Sequence, residues 1–126
     1  MNWKNVLGLF CSLFFFSCVN GPERNCSQYK NGEFIFKTEL NGELQESTFE
    51  RFGELEIDNY NGKIDSSSVK WINDCEYILK SLNPKSMAER KPLHFKILST
   101  TDSSYTFEYG LLNAENRLIG TAVKLK

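Results

Sequence analysis

The scarce residues exclude more than the abundant ones suggest. His94 is the only histidine in 126 residues. Nucleophilic catalysis of the triad kind needs a base beside a nucleophile and an acid to orient it. His94 alternates with Leu93 and Phe95, a pattern that places it on the outer face of a strand. The reading is therefore of a non-enzyme, with no catalytic residue and no cofactor. Basic excess is also missing, with 15 Lys+Arg against 16 Asp+Glu. That balance excludes a nucleic-acid partner held by bulk charge, because nothing displaces counterions from phosphates. The four cysteines form no C-x-x-C pair, and with one histidine they offer no metal site. The run from Asp58 to Asp65 hints at a calcium loop, but Tyr60 and Gly62 stand where oxygen side chains are required. No apolar run reaches the roughly 20 residues that a membrane-spanning helix needs.

One shorter apolar run is informative. It extends from Val6 to Phe16, interrupted only by Gly8 and Ser12, with Lys4 ahead of it. It has no polar face, so it does not suit a core helix. A single positive charge followed by about a dozen apolar residues is the pattern of a secretory signal. The run ends in Phe15-Phe16-Ser17-Cys18. A small residue directly before cysteine resembles the lipobox of bacterial lipoproteins, although Phe15 and Phe16 replace the usual residues. The resemblance implies cleavage before Cys18 and acylation of that cysteine, including chains such as palmitate. The expected organisation is a signal peptide over 1–17, a lipid-anchored tether over 18–25, and one domain over 26–126. The expected location is the bacterial cell envelope, at the outer membrane, and the expected partner is the membrane itself, reached through the anchor.

Cys11 leaves with the signal and Cys18 takes lipid, so Cys26 and Cys75 remain. In an oxidising exported compartment an even pair is read as a structural disulfide. A reactive thiol pair or a metal pair is the competing reading.

The rest of the chain alternates with period two. Phe34, Phe36 and Leu40 alternate with Glu33, Lys37 and Glu39; Leu55 and Ile57 alternate with Glu54, Glu56 and Asp58. Val69, Trp71, Cys75, Tyr77 and Leu79 share one parity, as do Leu93, Phe95 and Ile97, then Tyr105, Phe107, Tyr109 and Leu111, and finally Ile119, Thr121, Val123 and Leu125. Such alternation turns one side of a pleated strand to a core and the other to water. Asn41-Gly42 and Asn61-Gly62 suit type I′ hairpins. Asn73-Asp74 divides a long run into Ser68–Ile72 and Cys75–Leu82. Residues 84–92 read as a loop with one helical turn near Met87. Leu44, Thr48, Phe52 and Leu55 also fit a helical stripe, but Glu46, Glu50 and Glu54 would repel along that helix, so the segment is read as strand. The predicted fold is all-β: a small antiparallel meander barrel of about seven to nine strands.

The candidate sites are modest. Glu54, Glu56 and Asp58 read as a solvated outer face. Trp71, Tyr77, Phe95, Phe107 and Tyr109 read as core before cavity lining. Lys85, Arg90, Lys91 and Lys96 read as a solvated basic loop before a headgroup contact. Charge is uneven: residues 27–66 hold nine acids and four bases, and residues 67–126 hold six acids and nine bases. The ligand-binding residues are unknown at this level.

Cys26, Gly32-x-Phe34, Arg51-x-x-Glu54-Leu55-Glu56, Trp71-Ile72-Asn73-Asp74-Cys75-Glu76-Tyr77-x-Leu79 and Ser104-Tyr105-Thr106-Phe107 together resemble a family of small uncharacterised bacterial lipoproteins. That family carries G-x-F, R-x-x-x-Q-I-E and W-x-x-D-C-x-Y-x-L strands; Glu54 and Leu55 depart from its Gln and Ile. The resemblance implies a lipocalin-like barrel and brings no activity with it. The functional expectation is a lipid-anchored, non-catalytic binding module for a small apolar ligand. The alternative is a protein-interaction module, such as an inhibitor of an envelope-directed hydrolase; small envelope barrels with one disulfide also resemble bacterial lysozyme inhibitors.

Overall fold

Eight stretches of alternation become eight strands. The computed structural model describes residues 24–126; the expected signal segment over 1–17 and Cys18 lie outside the described residues. The strands are β1 (Gly32–Leu40), β2 (Glu43–Phe52), β3 (Leu55–Tyr60), β4 (Lys63–Asn73), β5 (Glu76–Ser81), β6 (Leu93–Thr100), β7 (Ser104–Leu111) and β8 (Leu118–Lys124). Each pairs antiparallel with the next, and β8 pairs with β1, closing a lipocalin-like meander barrel.

Both Asn-Gly turns behave as their chemistry requires. Asn41 and Gly42 have φ of 54° and 79°, and Asn61 and Gly62 have 50° and 80°. Positive φ at both central residues matches the hairpin to the twist of its strands. The segment that also fits a helical stripe is strand β2, with Leu44, Thr48 and Phe52 on its exposed side.

The hairpin between β4 and β5 departs from expectation by one residue. Its turn is Asp74-Cys75, not Asn73-Asp74, and β4 begins at Lys63 rather than Ser68. Asn73 accounts for the shift: its side chain accepts from the Cys75 amide at 2.9 Å and donates to Glu76 at 2.6 Å, spanning the turn. The 82–92 loop holds a hydrogen-bonded turn from Arg90 N–H to the Met87 carbonyl, without a helix.

One end of the barrel is sealed. A 3-10 turn, Ser27–Tyr29, crosses it and buries Tyr29 completely. The Tyr29 hydroxyl donates to the Thr101 carbonyl at 2.7 Å, and its ring lies 4.9 Å from Tyr105. A Cys26–Cys75 disulfide, with Cα atoms 5.3 Å apart, pins this turn to the β4–β5 hairpin. Arg24 and Asn25, expected in the tether, already bond to β6, at the Ile97 carbonyl and the Thr100 hydroxyl.

Above this floor the core is mostly aromatic. Phe34 stacks on Phe49 at 4.8 Å, and Phe107 packs between Phe95 and Tyr105. Gly120 is required here: a Cβ would stand 2.7 Å from Phe36 and 2.9 Å from Phe107. Trp71 and Tyr77 both face inward, 4.6 Å apart, with the Lys30 ammonium over the half-buried indole. The opposite end carries the two Asn-Gly turns and the 82–92 loop, and it stays open.

Candidate ligand-binding cavity

The interior chemistry begins with one hairpin. A two-residue turn, Gly53-Glu54, joins β2 to β3 and sets Arg51 opposite Glu56 and Phe49 opposite Asp58. Phe49 and Arg51 face the interior, so Glu56 and Asp58 face it too. This corrects the expected orientation of β3. The solvated face predicted for Glu56 and Asp58 is the inner one; Leu55 and Ile57 lie outside, half covered, and Glu54 sits in the turn. The register leaves no choice, because the side-chain period of a strand is two.

Arg51 is 1% exposed and Glu56 3% exposed. The guanidinium donates from Nε and Nη2 to Glu56 Oε1 at 3.1 and 2.9 Å. It also donates to the Tyr29 carbonyl at 2.8 Å and to the Tyr77 and Tyr105 hydroxyls at 2.9 and 3.3 Å. The rings of Phe34, Phe49, Trp71 and Tyr77 surround it, the nearest at 4.4 Å. Burial works against this charge, but Tyr77, Tyr105 and Glu56 outweigh it and hold the Arg51 pKa well above its usual value. Burial pushes the Tyr77 and Tyr105 phenols up, so both stay protonated donors.

Further toward the open end, Asp58 lies directly opposite Asp65 of β4. Burial, followed by the charge of Glu56 and a hydrogen bond with it, raises the Asp58 pKa to about 8; Arg51 lowers it and Asp65 adds to the rise. Asp58 thus holds its proton more tightly folded than unfolded. Its stabilising contribution is full below about pH 4 and is lost as pH rises through about 8. We expect thermal stability to fall across that window, by at most about 1.4 kcal/mol per pH unit for one proton. In Asp58→Asn this part of the slope disappears, and the variant is the more stable protein at alkaline pH. A stability profile unchanged by the substitution would show that Asp58 titrates normally.

Two connected spaces open above the carboxylates. The deeper, about 240 Å³, is lined by Phe36, Phe49, Tyr77, Phe95, Phe107 and Tyr109, with Ser47, Glu56 and Asp58 among them. The outer, about 390 Å³, is bounded by Asp58, Asp65, Ser67, Ser81, Glu89 and Lys91. Asp58, Leu79 and Leu93 line both and so mark the neck between them. At the rim the Tyr60 hydroxyl donates to Gln45 at 2.9 Å. An apolar chamber with a few convergent polar groups is the usual form of a small-molecule site.

The predicted aromatic set therefore divides. Tyr77 and Phe107 are buried core that also bounds the chamber, Phe95 and Tyr109 are half-buried lining, and Trp71 belongs to the floor. His94 is on the outer face as predicted, bonded through Nδ1 to Arg117 at 2.8 Å with Nε2 4.0 Å from Glu76. Of the basic cluster, Lys91 reaches the outer space. Sequence reading missed Arg51, Glu56, Asp58 and Asp65 as a group. The available signal was the pairing of Arg51 with Glu56 across Gly53-Glu54.

Fold and site together define a closed eight-stranded lipocalin-like barrel, sealed at one end and hollow and acidic toward the other. No family model, curated protein or solved structure matches the chain.

Proposed function

We propose that this protein is a non-catalytic binding module of the bacterial cell envelope, held to the membrane by lipid on Cys18, which takes the apolar part of a small molecule into the barrel. The observation that carries the binding reading is the aromatic chamber of about 240 Å³, open at one end only. Support for the anchor is Lys4, the apolar run from Val6 to Phe16 and Ser17-Cys18. The motifs shared with the small lipoproteins, from Cys26 to Phe107, support the same address. The described chain enters the barrel at its sealed end, through the Ser27–Tyr29 turn.

Native mass spectrometry of envelope-purified protein tests the binding reading. A retained small molecule is expected in the wild type and absent in Ser47→Phe, which fills the chamber. Wild-type protein that carries nothing overturns it. Cys18→Ala tests the anchor: acylation and processing should both fail, and normal maturation with normal detergent-phase partitioning would rule the anchor out.

A second reading rests on the 82–92 loop, where Met87 is 74% exposed and Leu82, at the start of the loop, is also exposed. Exposed apolar residues on a loop suit an interaction module, such as an inhibitor of an envelope-directed hydrolase. In that case the same spectrum shows a bound protein and an empty barrel.

A further inference from the structure

Among the residues lining the two spaces, acids outnumber bases: Glu56, Asp58, Asp65 and Glu89 against Lys91. Arg51 is committed to Glu56, the Tyr29 carbonyl and two phenols. Asp58, hydrogen-bonded to Glu56 at the neck, and the exposed Asp65 of the outer space stand side by side on neighbouring strands, with Lys91 the one basic residue among the described residues lining that space. Once Asp58 loses its proton, the two like charges directly opposite across the ladder repel. The groups facing Asp58 are Glu56 on its own strand, Arg51 and Phe49 on β2, Asp65 on β4 and, across the outer space, Glu89 and Lys91. Lys63 is exposed at the rim beyond Asp65.

Just below this neck the walls are aromatic, Phe36, Phe49, Phe95, Phe107 and Tyr109, with Tyr60 at the rim. Aromatic faces attract cations, and most strongly when the site is desolvated. Among the described residues, no three acidic, histidine or cysteine side chains converge as ligands for a metal ion. The complementary cation is therefore one that brings its own apolar body.

We infer that the barrel binds a small organic ammonium compound, its compact aromatic or alkyl body in the deep chamber and its ammonium group at the neck beside Asp58 and Asp65. This rests on the ligand-binding reading above and names its ligand class. Binding is linked to a proton: the neutral Asp58 carboxyl gives up H⁺ to the solvent, and the resulting carboxylate pairs with the incoming ammonium. Affinity for the cation therefore rises with pH through about 8, the range in which Asp58 titrates. A neutral ligand of the same shape shows no such dependence.

The test is calorimetric titration of the full chain in phosphatidylcholine vesicles with three probes that share a phenethyl body: phenethylammonium, 2-phenylethanol and 3-phenylpropionate. At about pH 9 phenethylammonium should bind roughly tenfold or more tighter than the alcohol, through the charge-assisted contact and the surrounding rings. Near pH 7 its binding heat should vary with buffer ionisation enthalpy, reporting release of the proton. Asp58→Asn should abolish the preference and the proton release while still binding the alcohol, which also shows that the variant is folded. Asp65→Asn should weaken the preference in part. Binding of the alcohol or the propionate as tight as that of the cation would overturn the ammonium assignment and leave the cavity reading standing. Binding of none of the three would overturn both.

Discussion

Arg51→Met should lower the free energy of unfolding by about 3–5 kcal/mol, the range for removing one partner of a buried ion pair. A domain of this size has roughly 5–15 kcal/mol in total, so the variant stands near the edge of folding. The cost comes less from the lost attraction than from what is left behind. Glu56 would stay buried with its cation gone, and the Tyr29 carbonyl and the Tyr77 and Tyr105 hydroxyls would each lose a donor. Adding Glu56→Gln to Arg51→Met should recover part of the loss, because a neutral amide costs less to bury than an unpaired charge. Urea unfolding of the two single variants and the double variant closes the cycle. A single-variant loss below about 1 kcal/mol would mean that water or a rearranged side chain replaces Arg51 at little cost.

Replacing Cys26 and Cys75 together by serine should cost about 4 kcal/mol in the chain-entropy account for a sequence separation of 49. The mechanism differs from that at Arg51. The cross-link limits the unfolded chain, so the folded spectrum should hardly change while the urea midpoint falls. Reduction of the wild type should reproduce the effect. The sealed end should also loosen, since Cys26 opens the 3-10 turn that carries Tyr29 across the floor. Hydrogen exchange at Tyr29 and Lys30, whose amides bond to Cys26 and Ser27 carbonyls, reads that loosening directly. Equal midpoints for the oxidised wild type and the double serine variant would show that the barrel closes without the cross-link.

Most of the strand framework could be read from local chemistry. The parity sets of β5, β6 and β7 name the residues that face inward, because a pleated strand has one repeat and one turn angle. Asn41-Gly42 and Asn61-Gly62 mark hairpins because few other residue pairs accept positive φ twice in succession. Cys26 and Cys75 were legible as a pair by elimination.

The orientation of β3 was not legible. Alternation is a symmetric signal: it says that two faces differ, and polarity alone chooses between them. In β3 that choice fails, because Glu56 and Asp58 are inside and Leu55 and Ile57 are outside. The same inversion leaves Leu44 and Ile64 well exposed on the outer wall. What decides is register, inherited from Phe49 and Arg51 through the Gly53-Glu54 turn, together with the need of a buried guanidinium for a carboxylate. Approximate strand number, the two Asn-Gly turns and the disulfide pair follow from forces acting over a few residues or from simple counting, whereas the Gly53-Glu54 and Asp74-Cys75 turns do not. The acidic neck, the buried arginine and the hollow end arise only when eight strands close on one another, since closure alone determines which side of each strand becomes the interior.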